Sequence, residues 1–136
     1  MHIQELKVKI DHLAIWAEDL EKLKNFYEKY FNARSNNKYR NQNKNFESYF
    51  LSFNSGASLE IMNKPEIGSS GKNLYSQYLG ITHIAFSLGS RELVDELTCR
   101  LKNDGLKILD GPRLTGDGHY ETLFLDPEGN RIEITE

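Results

Sequence analysis

Apolar and polar residues alternate along residues 10–16 and again along 81–87, the period of a strand with one buried face. In the first run Leu13, Ile15 and Ala17 share one side, and Ile10, His12, Ala14 and Trp16 share the other. Each run is followed by an apolar stripe at helical spacing. Leu20, Leu23, Phe26, Tyr27, Tyr30 and Phe31 make the first, and Leu93, Val94, Leu97 and Leu101 the second. Asp19 and Ser90, each seven residues after a histidine, are suited to cap these helices, and Glu21 and Glu92 place a carboxylate at the positive end of the dipole. Gly105 suits a left-handed helix end. Short β-rich runs follow at about 46–53 and 57–63, divided by Asn54-Ser55-Gly56. In the second half they fall at about 107–109, 119–125 and 130–135, the last two joined by Asp126-Pro127-Glu128-Gly129. The polar stretch 34–45 reads as an exposed strand plus loop.

The pattern therefore occurs twice. Ile10-Asp11-His12-Leu13-Ala14-Ile15 matches Ile81-Thr82-His83-Ile84-Ala85-Phe86, with the histidines 71 positions apart. Ser58-Leu59-Glu60-Ile61-Met62 matches Arg131-Ile132-Glu133-Ile134-Thr135 at the end of each half. The reading is an α+β chain of two tandem βαβββ modules, about 7–63 and 81–136, with a Gly/Ser-rich linker at 64–80. They would form a curved, half-barrel-like mixed sheet with helices on its outer face.

Strand alternation puts His12, Glu60, His83 and Glu133 on the face away from the helices, together with Ser58, Met62, Arg131 and Thr135. A carboxylate among apolar neighbours is costly to bury unless it is paired or bound to metal. A single strand histidine is commonly structural and a single strand glutamate commonly solvated. The symmetry of the set favours ligands. Two imidazoles and two carboxylates suit Zn, Ni, Co, Fe or Mn.

Composition narrows the classes. The chain has 17 basic and 20 acidic residues, net −3, and no basic cluster, which argues against nucleic acid. No apolar run approaches a membrane span and the N-terminus lacks a signal-peptide core. A lone cysteine, Cys99, points to a reducing, cytoplasmic setting and reads as helix filler. His2 reads as a free chain end. His119, Tyr120 and Glu121 follow Gly116-Asp117-Gly118, at a pocket mouth or on a surface hairpin.

The quoted segments, with the closing run Leu125-Asp126-Pro127-Glu128-Gly129-Asn130-Arg131-Ile132-Glu133, resemble the vicinal-oxygen-chelate superfamily. It includes glyoxalase I, extradiol dioxygenases, methylmalonyl-CoA epimerase and fosfomycin- and bleomycin-resistance proteins, and the resemblance covers nearly the whole chain. Similarity to bacterial glyoxalase I implies a lactoylglutathione lyase-like isomerase. Its one divalent ion per site would be held by His12, Glu60, His83 and Glu133, with Glu133 and Glu60 as the catalytic proton carriers. Triad enzymes of the superfamily need no ligand at Glu60. The resemblance also implies a homodimer, with sites drawing ligands from one chain or two. Trp16 stands where bacterial glyoxalase I has an arginine of its glutathione site, and Lys64 where it has an asparagine, which leaves the thiol co-substrate open. Trp16, Met62 and Arg131 are the candidate substrate contacts, Trp16 for an apolar or aromatic part and Arg131 for an anionic one. Core packing explains Trp16 equally well. The alternatives are a resistance-type transferase, an epimerase, an extradiol dioxygenase, or a non-catalytic small-molecule binding protein.

Overall fold

The computed structural model describes residues 4–136, so His2 lies outside the described residues. Two compact units divide at Ile67/Gly68. In the first, β1 (His12–Trp16) leads to α1 (Leu20–Phe31), then β2 (Arg34–Ser35), β3 (Tyr39–Asn41), β4 (Phe46–Ser52) and β5 (Ser58–Asn63). The second contains β6 (Ile84–Ser87), α2 (Arg91–Asn103), β7 (Ile108–Leu114), β8 (Tyr120–Leu125) and β9 (Arg131–Thr135). The sheet orders are β1-β5-β4-β2, with β3 also on β4, and β6-β9-β8-β7. In both, the first strand pairs in parallel with the last, and the other pairings are antiparallel. Neither sheet closes into a barrel.

Burial follows the expected alternation. Leu59, Ile61, Ile132 and Ile134 are fully buried, while Glu60, Met62, Arg131 and Glu133 between and beside them are half-exposed. α1 lies against β4 and β5 and buries Leu20, Leu23, Phe26 and Tyr27; α2 lies against β7, β8 and β9. The caps form as read. The Asp19 carboxylate accepts from Lys22 N at 3.1 Å and the Ser90 hydroxyl from Leu93 N at 3.2 Å.

Several boundaries differ from the sequence reading. The second parallel strand begins at Ile84, not 81, so His83 sits just before it. Leu93 is exposed, and Thr98 takes a core position in its place. Val94, Leu97, Thr98 and Leu101 complete the i, i+3, i+4, i+7 stripe, and Leu93 falls off its edge. Thr98 is satisfied there, donating to Val94 O at 2.7 Å and sharing a 2.8 Å hydrogen bond with the Thr122 hydroxyl. Residues 34–45 hold two short strands and a 3₁₀ turn, where one strand was expected. β7 runs to Leu114 through Gly111-Pro112, a pair that reads as a break. The pairing survives because the register with β8 shifts on either side of Asp110. Gly111 has φ +102°, and a Cβ there would lie 2.6 Å from Glu121 O, so only glycine permits the approach.

Candidate metal and substrate site

Each unit brings one imidazole and one carboxylate together. His12 Nε2 lies 3.8 Å from Glu60 Oε1, and His83 Nε2 lies 3.0 Å from Glu133 Oε2. The two pairs are built alike. Ala14 faces Glu60 across β1–β5, and Ala85 faces Glu133 across β6–β9, so each glutamate is registered two residues beyond its histidine. The small alanine leaves the carboxylate uncovered on that side. Both glutamates keep only 16% of their side-chain surface, and the histidines 39% and 37%.

A second shared feature lies one residue before each histidine. His12 Nδ1 is 2.8 Å from the Asp11 carboxylate and His83 Nδ1 is 2.7 Å from the Thr82 hydroxyl. A partner on Nδ1 fixes the ring and leaves Nε2 toward the glutamate, the arrangement in which imidazole binds metal. Asp11 and Thr82 stand at equivalent places of the repeat, but their spacing alone does not mark them as ring partners. Within either unit no group of three or more His, Cys, Asp or Glu among the described residues is close enough to hold a metal. The donor chemistry, one nitrogen and one half-buried oxygen per unit, fits a divalent ion.

The surroundings differ. Phe50 faces Glu60 across the β4–β5 ladder and meets the His12 ring edge-on at 5.2 Å. Glu133 is faced instead by Leu123, with Glu121 two positions further along β8. Burial, then the adjacent Glu121, pushes the Glu133 carboxyl up to about 7; Arg113 and His119 act in the opposite direction. Arg113 also lies 3.5 Å from Glu121. The 119–121 segment therefore divides. Glu121 joins the open face, the Tyr120 hydroxyl donates to Asp95 of α2, and His119 stays exposed.

Trp16 stands opposite Met62 and lies edge-on to Phe46, so it belongs to the open face and not to the core. Arg131 donates to Leu74 O at 3.3 Å, which ties it to the 68–80 segment. The turn before it explains the Asp-Pro-Glu-Gly-Asn run. The buried Asp126 carboxylate accepts from the backbone N–H groups of Glu128 and Asn130, both at 2.9 Å, and from the Asn130 amide. Gly129 has φ +84°, a conformation that favours glycine, and carries the Leu74 side chain against it. Cys99 is exposed on α2. A separate cavity of about 320 Å³ lies among Arg40, Asn41, Asn45, Glu47 and Asn63 and includes none of the predicted site residues.

The model of the glyoxalase/bleomycin resistance protein/dioxygenase superfamily matches residues 9–134. The chain belongs to that superfamily. A glyoxalase family protein from Enterococcus faecalis has a similar structure, with TM-score 0.75, 26% identity and coverage of 94% of this chain and 97% of that one. A possible glyoxalase from Bacillus cereus gives 0.68 and 28%, covering 93% and 97%. The uncharacterized protein YqjT of Bacillus subtilis (strain 168) is 34% identical over 59 residues, 41% of this chain and less than half, 46%, of that protein. Among the described residues no helix is long and apolar enough to cross a membrane.

Proposed function

We propose that this superfamily member is a metal-dependent glyoxalase I-like isomerase or lyase, with His12, Glu60, His83 and Glu133 as the ligands of one divalent ion. The observation that carries this reading is the duplicated pair: the same His–Glu register, the same alanine opposite the glutamate and the same supported Nδ1 in both halves. A structural histidine or a solvated glutamate has no need to recur in that detail. Ni, Co, Zn, Mn and Fe all accept this donor set. When bound, the ion would supply Lewis-acid polarisation of two neighbouring substrate oxygens.

The chain's own residues supply the rest. Glu133 and Glu60 are the groups placed to take a proton from carbon and return it. Asp11 and Thr82 hold the imidazoles. Trp16 and Met62 offer an apolar surface to the substrate, and Arg131, beside the 68–80 segment, a cation. The sites belong to a homodimer, since β1 and β6 are open sheet edges suited to association.

Elemental analysis of the native protein, with an activity screen against methylglyoxal plus several thiols, tests the reading. We expect bound metal, turnover abolished by chelation, and loss of about a thousandfold or more in Glu60→Gln and Glu133→Gln with folding retained. Full activity in both variants overturns it. Protein purified without chelators yet free of metal favours the binding-module alternative, and Fe(II)-dependent oxygen uptake the dioxygenase.

A further inference from the structure

The open face of the first sheet carries a row of rings that the fold does not require. Trp16, Tyr39 and Phe50 remain 42%, 53% and 36% exposed, a costly display for three large aromatics on one sheet face. Trp16 and Tyr39 form one group with Phe46. Trp16 lies 6.1 Å from Phe46 and Phe46 lies 6.1 Å from Tyr39, both near edge-on. Phe50 makes a second group, edge-on to the His12 ring. The corresponding positions of the second sheet hold Ser87 where the first has Trp16, and Leu123 where it has Phe50, with the same register to Glu133. On β1, β4 and β5 this face carries one carboxylate, Glu60, and no lysine or arginine.

Resting on the metal reading above, we propose that the substrate carries a planar aromatic or heteroaromatic group on the side of its paired oxygens that faces the first sheet. The His12–Phe50 pair and the Trp16 group lie four strand residues or about 13 Å apart along β1, with Ala14 between them. A group chelated beside Glu60 therefore meets the Phe50 ring first and the Trp16 group beyond it. A protein partner laid on the row would also cover the His12–Glu60 pair, which disfavours that occupant. A charged tail would meet no complementary charge on these three strands.

The test is calorimetric titration of the full-length, metal-loaded chain with three 2-oxo acids sharing the same paired oxygens: phenylpyruvate, 2-oxooctanoate and pyruvate. The expected result is phenylpyruvate binding about tenfold more tightly than either of the others, the worth of good ring stacking. Trp16→Leu and Phe50→Leu, which keep apolar bulk on an exposed face, should each erase several-fold of the phenylpyruvate over 2-oxooctanoate preference. Metal uptake with equal affinity for phenylpyruvate and 2-oxooctanoate overturns the ring inference and spares the metal reading. Failure to take up metal overturns the metal reading, and a ring preference surviving in that metal-free protein still supports the aromatic surface. Sedimentation adds a control. A self-associated chain that Trp16→Leu converts to monomer shows the row to be covered by a second copy, and the substrate assignment then falls.

Discussion

Beside Glu60 the neighbouring strand offers Phe50 and then buried Ser48; beside Glu133 it offers Leu123 and then Glu121. Along the parallel strands Trp16 in one half answers to Ser87 in the other. The helix-facing sides of the same strands barely differ, with Leu59 and Ile61 matched by Ile132 and Ile134, all buried. The duplicated fold has therefore kept its core and its His–Glu pair and let the rest of each open face diverge, one toward aromatic surface and one toward charge. A buried position answers to packing against a helix, which is the same problem twice. An open-face position answers to what comes to lie on it. The comparison separates residues that make the module from residues that make the site.

The largest expected effect tests the conserved side. Ile61→Ala and Ile134→Ala each remove a fully buried side chain from the centre of a sheet and should cost about 2–5 kcal/mol, by urea unfolding of the metal-free protein. If the halves are equivalent in their packing, the two costs agree to within about 1 kcal/mol. A large cost at one position with a negligible one at the other would break the equivalence drawn here.

How much of this was readable beforehand follows from the same division. The repeat, both helix caps and the His and Glu positions stood out because periodicity and capping are local and act within a few residues. The shared face of each pair also followed, since a period of two admits one answer once Leu59 and Ile132 are assigned inward. Leu93 is apolar yet falls off the helical stripe, whereas Thr98 is polar, lies on it and finds Thr122 as partner. The length of β7 was hidden by Gly111-Pro112, whose acceptance depends on a register shift against β8, a non-local matter. The row formed by Trp16, Phe46 and Tyr39 needed strand pairing to be seen, because these residues are far apart in sequence and only the ladders bring them together. Asp11 and Thr82 needed atomic positions, since nothing in their spacing distinguishes a ring partner from a solvated side chain.

Those two residues give the next comparison. Asp11 offers its histidine a carboxylate and Thr82 a neutral hydroxyl, and a charge-assisted bond is the stronger of the two. Asp11→Ala should weaken metal affinity by about 10–100-fold, the usual cost of losing such a support, and Thr82→Ala by about fivefold. Competition against a chelating dye at constant pH measures both. Equal losses would mean that ring orientation matters and basicity does not. No loss in either variant would remove both residues from the site.

The smallest effect concerns the charge on the second face, in metal-free protein. Glu133 has its carboxyl raised to about 7, first by burial and second by Glu121. Below pH 4.5 the group is protonated whether the chain is folded or not, so it contributes nothing. Between 4.5 and about 7 the unfolded chain ionises it and the folded chain resists, so stability falls as pH rises; above about 7 the full penalty stands. Glu121→Gln removes the like charge and keeps an oxygen to accept from Arg113, 3.5 Å away. The variant should melt a few degrees above the parent at pH 8 and match it at pH 4, by scanning calorimetry. Burial is the larger cause and remains, so a residual pH slope is expected. At the corresponding place of the first half Ser48 has no charge to remove, and Ser48→Ala should change the melting temperature by the same amount at both pH values. A pH-independent response to Glu121→Gln would show that the two faces differ in side chains but not in electrostatics.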